Sequence, residues 1–359
     1  MDLFDQLAVY DHEQVIAIQN RATGLRGFLA IHDTTLGPAL GGVRLWRYAS
    51  DAEALADALQ LSRAMTYKAS LAELPCGGGK AVIFLHDGLK RAEAFEAFGA
   101  IVESLHGRFF TGPDVGITGD DLAAIHRATR YVACESSLEL GNISEQTAIG
   151  VWHGMRACLE FAGLKKARVA IQGVGSVGLW LGRILKREGM QLSVADLDAT
   201  RAEQAAHELS ARVVAPDEVL GTACDVFAPC ALGGVISTET VPELQASIVC
   251  GSANNVLASP EAGDALARRG VLYAPDYLVN AGGLIRGAEY YLLKRRESGD
   301  SLARIYERMW RVLELAREGG FSTARVADEL AQARLRRPKF FRDLWWGDGS
   351  ATASGGQES

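Results

Sequence analysis

No apolar run in the sequence approaches the roughly 20 residues that a membrane-spanning helix needs, which argues against an integral helical membrane protein. Positive charge is in deficit. With 37 Lys and Arg against 44 Asp and Glu the net charge is −7, and a large nucleic-acid or anionic-membrane surface needs clustered basic charge. The one basic run, RLRRPKFFR at 334 to 342, is short and reads as a solvated helix end. Paired cysteine spacing is missing as well. Cys76, Cys134, Cys158, Cys224, Cys230 and Cys250 show no C-x-x-C and no nearby histidine pattern, so reduced, mostly buried thiols and no metal site are expected. The opening MDLFDQLAVYDHEQ is acidic and lacks the n-region and h-region of a signal peptide. These absences point to a cytoplasmic protein with neither nucleic-acid nor membrane partners. What is present is ordinary for a globular chain, at 48% hydrophobic and 23% charged. A length of 359 residues allows two domains, each with its own core.

Two runs of strand character come first, QVIAIQN at 14 to 20 and LRGFLAIHD at 25 to 33. Ser50 with Glu53 forms a capping-box pattern that opens a helix from 51 to about 72. Leu55, Leu59, Ser62, Met65 and Ala69 share one stripe of that helix, and Lys68 stands beside it. LPCGGG reads as a turn and KAVIFL as a buried strand. AEAFEAFGAIVESL and DDLAAIHRATR read as helices on either side of RFFTGPDVGIT, a strand running into a loop. Small and polar residues around SSLELGNISEQ mark a boundary between a first domain, residues 1–140, and a second, 141–319. A helix from about 145 to 162 follows. Then ARVAIQG, a helix from Val177 to Glu188, QLSVADLD, a helix from 200, ARVV, CDVFAPCA, SIVCGSA and LYAPDYLV alternate. Such alternation signals βαβ units and a parallel sheet. After NAGGLIRG the chain reads as helical through about 337, and a Gly/Ser-rich tail over 346–359 reads as disordered.

VAIQGVGSVGLWLG contains Gly173-x-Gly175-x-x-Gly178 directly after a strand and opening a helix, the context that a dinucleotide fingerprint requires. The first glycine permits the tight turn, the second lets backbone approach the pyrophosphate, and the third lets helix and strand pack closely. The helix N-terminus, with Ser176 and Val177 in its first turn, stabilises the anion. Asp196 ends the following strand, where a carboxylate can accept hydrogen bonds from the adenosine ribose. It would repel a 2′-phosphate, and the nearest following arginine, Arg201, stands five residues on, so NAD is favoured over NADP.

LPCGGGKAV at 74 to 82 raises a separate question. A Walker loop would need glycine at Leu74 and a hydroxyl at Ala81, so a phosphate cradle fails twice. An amine at Lys80 flanked by apolar residues is desolvated, which lowers its pKa and suits it to act as a base near neutral pH. Lys68 beside its apolar stripe, and Asp114 in the loop GPDVG, are further candidates. On the residues alone, a lysine in such a place is more often a solvated surface charge, and Asp114 can equally be a turn former.

GPALGGVRLW at 37 to 46, RAMTYKASLAELPCGGGKAV at 63 to 82, TGPDVG at 111 to 116, GSANN at 251 to 255 and APDYLVNAGG at 274 to 283 resemble the amino-acid dehydrogenases. The likeness is strongest to the leucine/phenylalanine/valine branch, rather than to the longer glutamate dehydrogenases. The resemblance implies a two-domain α/β fold, with an N-terminal substrate and oligomerisation domain, a Rossmann domain and a cleft between them. It implies helices at about 320–345 returning to the first domain, a homo-oligomer, and NAD as cofactor. The implied reaction is reversible oxidative deamination of an L-amino acid to a 2-oxo acid and ammonia. At matching positions Lys68 would hold the substrate carboxylate, with the Gly41 and Gly42 backbone allowing it to lie close. Lys80 would activate water and Asp114 would exchange protons with the substrate nitrogen. Thr147 and Asn280 would lie near the nicotinamide, and Asn254 near its ribose and the substrate.

Leu40, Met65, Gly112, Leu284 and Gly287 match the side-chain pocket. Leucine-type relatives tend to carry alanine at the position of Gly112 and valine at that of Gly287, which favours phenylalanine or tryptophan ahead of leucine. Arg286 beside this pocket has no assigned role. Two departures stand out: Asn142-Ile-Ser-Glu-Gln-Thr147 lacks two prolines of the family pattern, and the chain ends in FFRDLWW and a soft tail. A branched-chain dehydrogenase, and a catalytically silent NAD-binding regulator, remain the alternatives.

Overall fold

The computed structural model describes residues 3–133 and 141–336. Cys134, the SSLEL part of the expected boundary, FFRDLWW and the Gly/Ser-rich tail lie outside the described residues.

The first sheet is mixed. β1 (Gln14–Asn20) and β2 (Leu25–Asp33) form an antiparallel pair over the two runs expected as strands. β3 (Ala39–Leu40), β4 (Val43–Trp46), β5 (Gly77–Phe84) and β6 (Phe109–Phe110) complete it in the order β1-β2-β5-β3-β6, with β4 also on β5. β5 is antiparallel to β2 and parallel to β3 and β4, so it is the strand around which the layer is built. α1 (Leu3–Tyr10), α2 (Asp51–Leu71), α3 (Arg91–Ser104) and α4 (Gly119–Ala128) cover it. Phe95, Phe98 and Phe109 are fully buried in this core, each contributing about 1.5–3 kcal/mol of burial.

Ser50 caps α2 through the N–H of Glu53, but the Glu53 carboxylate reaches past Ser50 to the N–H of Ala49. The reciprocal capping box occurs instead at Thr118 and Asp121, at the start of α4. On α2, Leu55, Leu59, Ser62 and Ala69 are buried as expected, while Met65 is only half-buried.

The glycines of LPCGGG are not a turn. They are the first three residues of β5, all eight of whose residues are buried. The reason is close approach: a Cβ at Gly78 would lie 2.1 Å from the backbone nitrogen of Thr66, so α2 rests directly on the strand.

The second sheet is wholly parallel. β7 (Arg168–Gln172), β8 (Gln191–Ala195), β9 (Arg212–Val213), β10 (Val226–Pro229), β11 (Ile248–Val249) and β12 (Leu272–Tyr273) run in the order β12-β11-β10-β7-β8-β9. This is the doubly wound order, with its switch point beside the first strand. α5 (Ile143–Phe161), α6 (Ser176–Arg187), α7 (Ala199–Leu209), α8 (Pro260–Arg268), α9 (Asp276–Val279), α10 (Gly282–Tyr291), α11 (Gly299–Gly319) and α12 (Thr323–Leu335) surround it. Asn142 caps α5 by accepting the N–H groups of Ser144 and Glu145, so the helix starts sharply without the two prolines. LYAPDYLV is strand only over Leu272–Tyr273. Pro275 has no N–H to continue a ladder, and the chain turns into α9.

α12 lies against α2. Ser70 donates to the carbonyl of Ala331 at 2.8 Å, Gln332 donates to the Tyr67 hydroxyl at 2.9 Å, and the Arg334 guanidinium reaches the carbonyls of Ser70 and Leu74 at 3.2 and 3.1 Å. Thr323 at its other end donates to the carbonyl of Tyr273, next to the second sheet. Among the described residues no helix is long and apolar enough to cross a membrane.

Candidate active site

Lys80 is the fourth residue of β5, and the strand's burial leaves its side chain 7% exposed. Its Nζ lies 2.9 Å from Oδ2 of Asp114, in the loop after β6. Gly42 makes that contact possible, since a Cβ there would sit 2.5 Å from the carbonyl oxygen of Pro113 and 3.0 Å from Cβ of Asp114. Gly41 is likewise pressed on the carbonyl oxygen of Gly79. On that side, what comes close to both glycines is the protein's own backbone.

Arg44 of β4 donates through Nε to the same Asp114 oxygen at 2.9 Å, and through Nη1 to Asp57 of α2 at 3.0 Å. The Tyr48 hydroxyl donates to Asp57 at 2.6 Å. Burial pulls the Lys80 ammonium below its ordinary range, against the attraction of Asp114. Burial alone would raise Asp114, but Lys80 and Arg44 outweigh it and hold the carboxyl below the usual carboxylate range.

Lys68 projects from α2 toward the second sheet, where its Nζ donates to Asn254 Oδ1 at 3.2 Å. Asn280 Nδ2 donates to the same oxygen at 2.9 Å and to the carbonyl of Ser252 at 3.1 Å, while its Oδ1 is buried without a partner. This chain of contacts spans the cleft between the two sheets. Burial lowers Lys68 to about 8, opposed by the nearby Asp276 carboxylate. Asp276 accepts the N–H of Val256 at 2.7 Å and so pins the GSANN loop. Its own carboxyl is pushed up by burial, against that N–H and Lys68.

The nucleotide turn divides its three glycines by function. Gly173 has φ +89, a left-handed conformation that glycine alone adopts freely. Gly178 packs against the carbonyl oxygen of Gly173, 2.0 Å from where a Cβ would stand. Gly175, at the N-cap of α6, has nothing within 4 Å of a Cβ, and with the exposed Ser176 and half-buried Val177 it leaves the helix N-terminus open. Asp196 accepts the N–H of Val174 at 3.0 Å and is held ionised by that bond and its neighbours. A free turn start, a left-handed first glycine and an ionised strand-end carboxylate fit a dinucleotide. The distance expected for Arg201 is wrong, however. The first turn of α7 folds it back so that its guanidinium meets Asp196 at 3.1 Å and Asp198 at 3.3 Å.

Thr147 donates to the carbonyl of Ile143 at 2.9 Å. Gly283 passes 3.0 Å from its hydroxyl, measured from an added Cβ, so α5 and the start of α10 cross closely there. Of the pocket residues, Leu40 belongs to the core cluster on which Leu284 packs. A Cβ at Gly112 would meet Ala133 at 3.2 Å, whereas one at Gly287 would meet nothing within 4 Å. Arg286 is buried, donates to the carbonyl of Arg295 at 3.2 Å and stacks over Tyr290.

Arg44, Asp57, Tyr48 and Asp276 were not singled out from the sequence. The available signal was an arginine within the apolar strand VRLW and an aspartate within the buried APDY segment. Among the described residues no group of three or more His, Cys, Asp or Glu is placed to hold a metal.

A glycine turn at a helix N-terminus on a doubly wound sheet, together with a buried Lys80–Asp114 pair on the other sheet and Lys68 reaching across between them, is the arrangement expected of a two-sheet oxidoreductase that binds a dinucleotide. The family model for the Glu/Leu/Phe/Val dehydrogenase dimerisation domain matches residues 12–135, and that for glutamate/leucine/phenylalanine/valine dehydrogenase matches 192–290. The chain belongs to this family and is an amino-acid dehydrogenase. It is 43% identical to leucine dehydrogenase of Geobacillus stearothermophilus over 93% of this chain and 94% of that one. It is 39% identical to phenylalanine dehydrogenase of Caldalkalibacillus thermarum, over 93% of each. The crystal structure of L-tryptophan dehydrogenase from Nostoc punctiforme superposes with a TM-score of 0.79 at 40% identity, covering 93% of this chain and 98% of that one.

Proposed function

We propose that the protein catalyses reversible, NAD-dependent oxidative deamination of a bulky apolar L-amino acid, with phenylalanine or tryptophan preferred to leucine. The open space at Gly287 is the observation that carries the substrate preference, since a wider pocket end favours the larger side chain. Leucine is the second reading, favoured by the likeness to leucine dehydrogenases.

In this reading Lys68 binds the substrate carboxylate as a charge-assisted contact. Gly41 and Gly42 supply close backbone, and Leu40, Met65, Gly112, Leu284 and Gly287 enclose the side chain. A nicotinamide bound in the cleft would supply the hydride acceptor for the substrate Cα. Lys80, its amine shifted toward the neutral form by burial, takes a proton from the water that attacks the resulting iminium carbon. Asp114 then relays that proton from Lys80 to the departing nitrogen, and the neutral Lys80 takes the hydroxyl proton as the C–N bond breaks, so that ammonia leaves and the 2-oxo acid remains.

Gly173, Gly175, Ser176, Val177 and Gly178 would hold the pyrophosphate, Asp196 the adenosine ribose, and Thr147, Asn254 and Asn280 the nicotinamide end. The unpartnered Oδ1 of Asn280 supports that placement. NAD is preferred to NADP because Arg201 is shared between two carboxylates, leaving the ribose end net negative. The substrate and oligomerisation unit comprises residues 1–140 with α12 packed back on it, and the nucleotide unit 141–319. The match to a family dimerisation domain supports a homo-oligomer.

The test is NADH oxidation with a panel of 2-oxo acids plus ammonia, using the wild-type protein, Lys80→Ala and Gly287→Val. Phenylpyruvate or indolepyruvate should exceed 4-methyl-2-oxopentanoate, Lys80→Ala should be inactive, and Gly287→Val should shift the ratio toward the branched acid. An unshifted ratio discards the aromatic preference.

A further inference from the structure

We infer that Arg44 is a positioning residue that presents one oxygen of Asp114 to the substrate nitrogen, and that Asp57 and Tyr48 hold Arg44 in turn. The inference rests on the role proposed for Asp114 in proton exchange.

Lys80 and Arg44 both reach Oδ2 of Asp114, each at 2.9 Å. No hydrogen bond engages Oδ1 among the described residues. One oxygen is therefore occupied by two cations, and the other is left for a ligand. A carboxylate held by a single ammonium could rotate and exchange its oxygens. The planar guanidinium on a second side removes that freedom.

Arg44 itself is not free to swing, because its Nη1 reaches both Asp57 oxygens at 3.0 and 3.2 Å. Tyr48 fixes one of those oxygens by donating at 2.6 Å. Thus β4, the loop after it and α2 converge on an aspartate carried by a fourth segment. Lysine at position 44 would keep the charge but lose the fork that serves two carboxylates at once.

The same groups set the charge around the reacting pair. Lys80 on β5, Arg44 on β4 and Lys68 on α2 supply positive charge, while Asp114 and Asp57 supply negative charge, with Asp276 acting on Lys68 from the far side. Arg44 lowers the proton affinity of both Lys80 and Asp114, whereas Asp57 raises that of Lys80. Removing the two residues one at a time therefore moves the lysine in opposite directions.

The experiment records kcat and kcat/KM for deamination against pH in the wild type, Arg44→Met, Arg44→Lys, Asp57→Asn and Lys80→Ala, with thermal unfolding and NADH titration as controls. Arg44→Met is expected to move the limb that reports neutral Lys80 to higher pH by about one unit, the lower end for removing a nearby charge. Asp57→Asn moves it to lower pH. Arg44→Lys keeps the limb near its wild-type position yet lowers kcat at least 10-fold with KM little changed.

Shifts of the same sign in Arg44→Met and Asp57→Asn, or full kcat in Arg44→Lys, overturn the inference. Should Arg44→Met not fold, Asp57→Asn and Arg44→Lys still decide it. An active Lys80→Ala would instead overturn the catalytic roles on which it rests.

Discussion

Gly78→Ala adds one carbon to the protein and should damage it twice. The new Cβ would stand 2.1 Å from the Thr66 nitrogen, 2.4 Å from Thr66 Oγ1 and 2.5 Å from the Ser62 carbonyl oxygen. Two of these are helix backbone, so no side chain can simply rotate away. Ordinary contact requires α2 and β5 to separate by about 1 Å, and overpacking of this kind costs about 1–3 kcal/mol. The shift also strains two buried histidine contacts, Thr66 to His32 at 2.8 Å and Ser62 to His12 at 3.0 Å. Lys68 lies two residues beyond Thr66, and Lys80 two beyond Gly78, so the same displacement moves apart the two amines proposed to bind substrate and to activate water. A misplacement of about 1 Å costs on the order of 100-fold in rate. Urea unfolding followed by circular dichroism reads the first effect, and steady-state kcat with NADH reads the second. A Gly78→Ala protein with unchanged unfolding midpoint and unchanged kcat would refute the account of the glycines as a helix-to-strand contact.

Gly175→Ala makes the contrasting prediction: with open space around it, the midpoint should stay at the wild-type value while KM for NADH rises about 10-fold, which fluorescence titration would confirm as weaker binding. Asp196→Ser should free Arg201 for a 2′-phosphate, and the ratio of NADPH to NADH activity should rise; an unchanged ratio removes Asp196 from cofactor selection. His12 and His32 are each lowered from 6.5 to about 4, chiefly by burial. Between those values the unfolded chain binds more protons than the folded one, so their stabilising effect is present above pH 6.5 and lost as pH falls toward 4. At about 1.4 kcal/mol per unit this is at most ~3.5 kcal/mol per histidine. Urea midpoints at pH 7.5 and 5.0 should therefore fall less in His32→Asn than in the wild type, and equal falls would exclude this source of acid sensitivity.

Much of the fold was legible because its signals are local. β1 and β2 follow strand patterning, α2 and α6 begin where their caps or turns stand, and the alternation after Gly163 foretold a parallel sheet. The strand–turn–helix at the glycine fingerprint was readable for the same reason: three glycines, a strand before and a helix after lie within one short stretch. Lys68, Lys80 and Asp114 were visible as candidates, but the residues alone favoured surface charges for the lysines and left Asp114 a possible turn former. LYAPDYLV misled because its apolar texture conceals the break that Pro275 imposes.

The sequence by itself thus determined most of the elements, though not the strand at Gly77–Gly79 or the break at Pro275, and the glycine fingerprint, whose physics is confined to neighbours along the chain. Tertiary structure decided what the glycine trio is for, because the helix pressed on Gly78 cannot be seen from the spacing. It also decided that Arg201 lies on Asp196, that Lys68 meets Asn254 across the cleft, and that Arg44 joins Asp114 to Asp57. Each of these depends on how separate elements pack, and it is packing that desolvates Lys80 and Asp114 and brings residue types common at surfaces together in one candidate site.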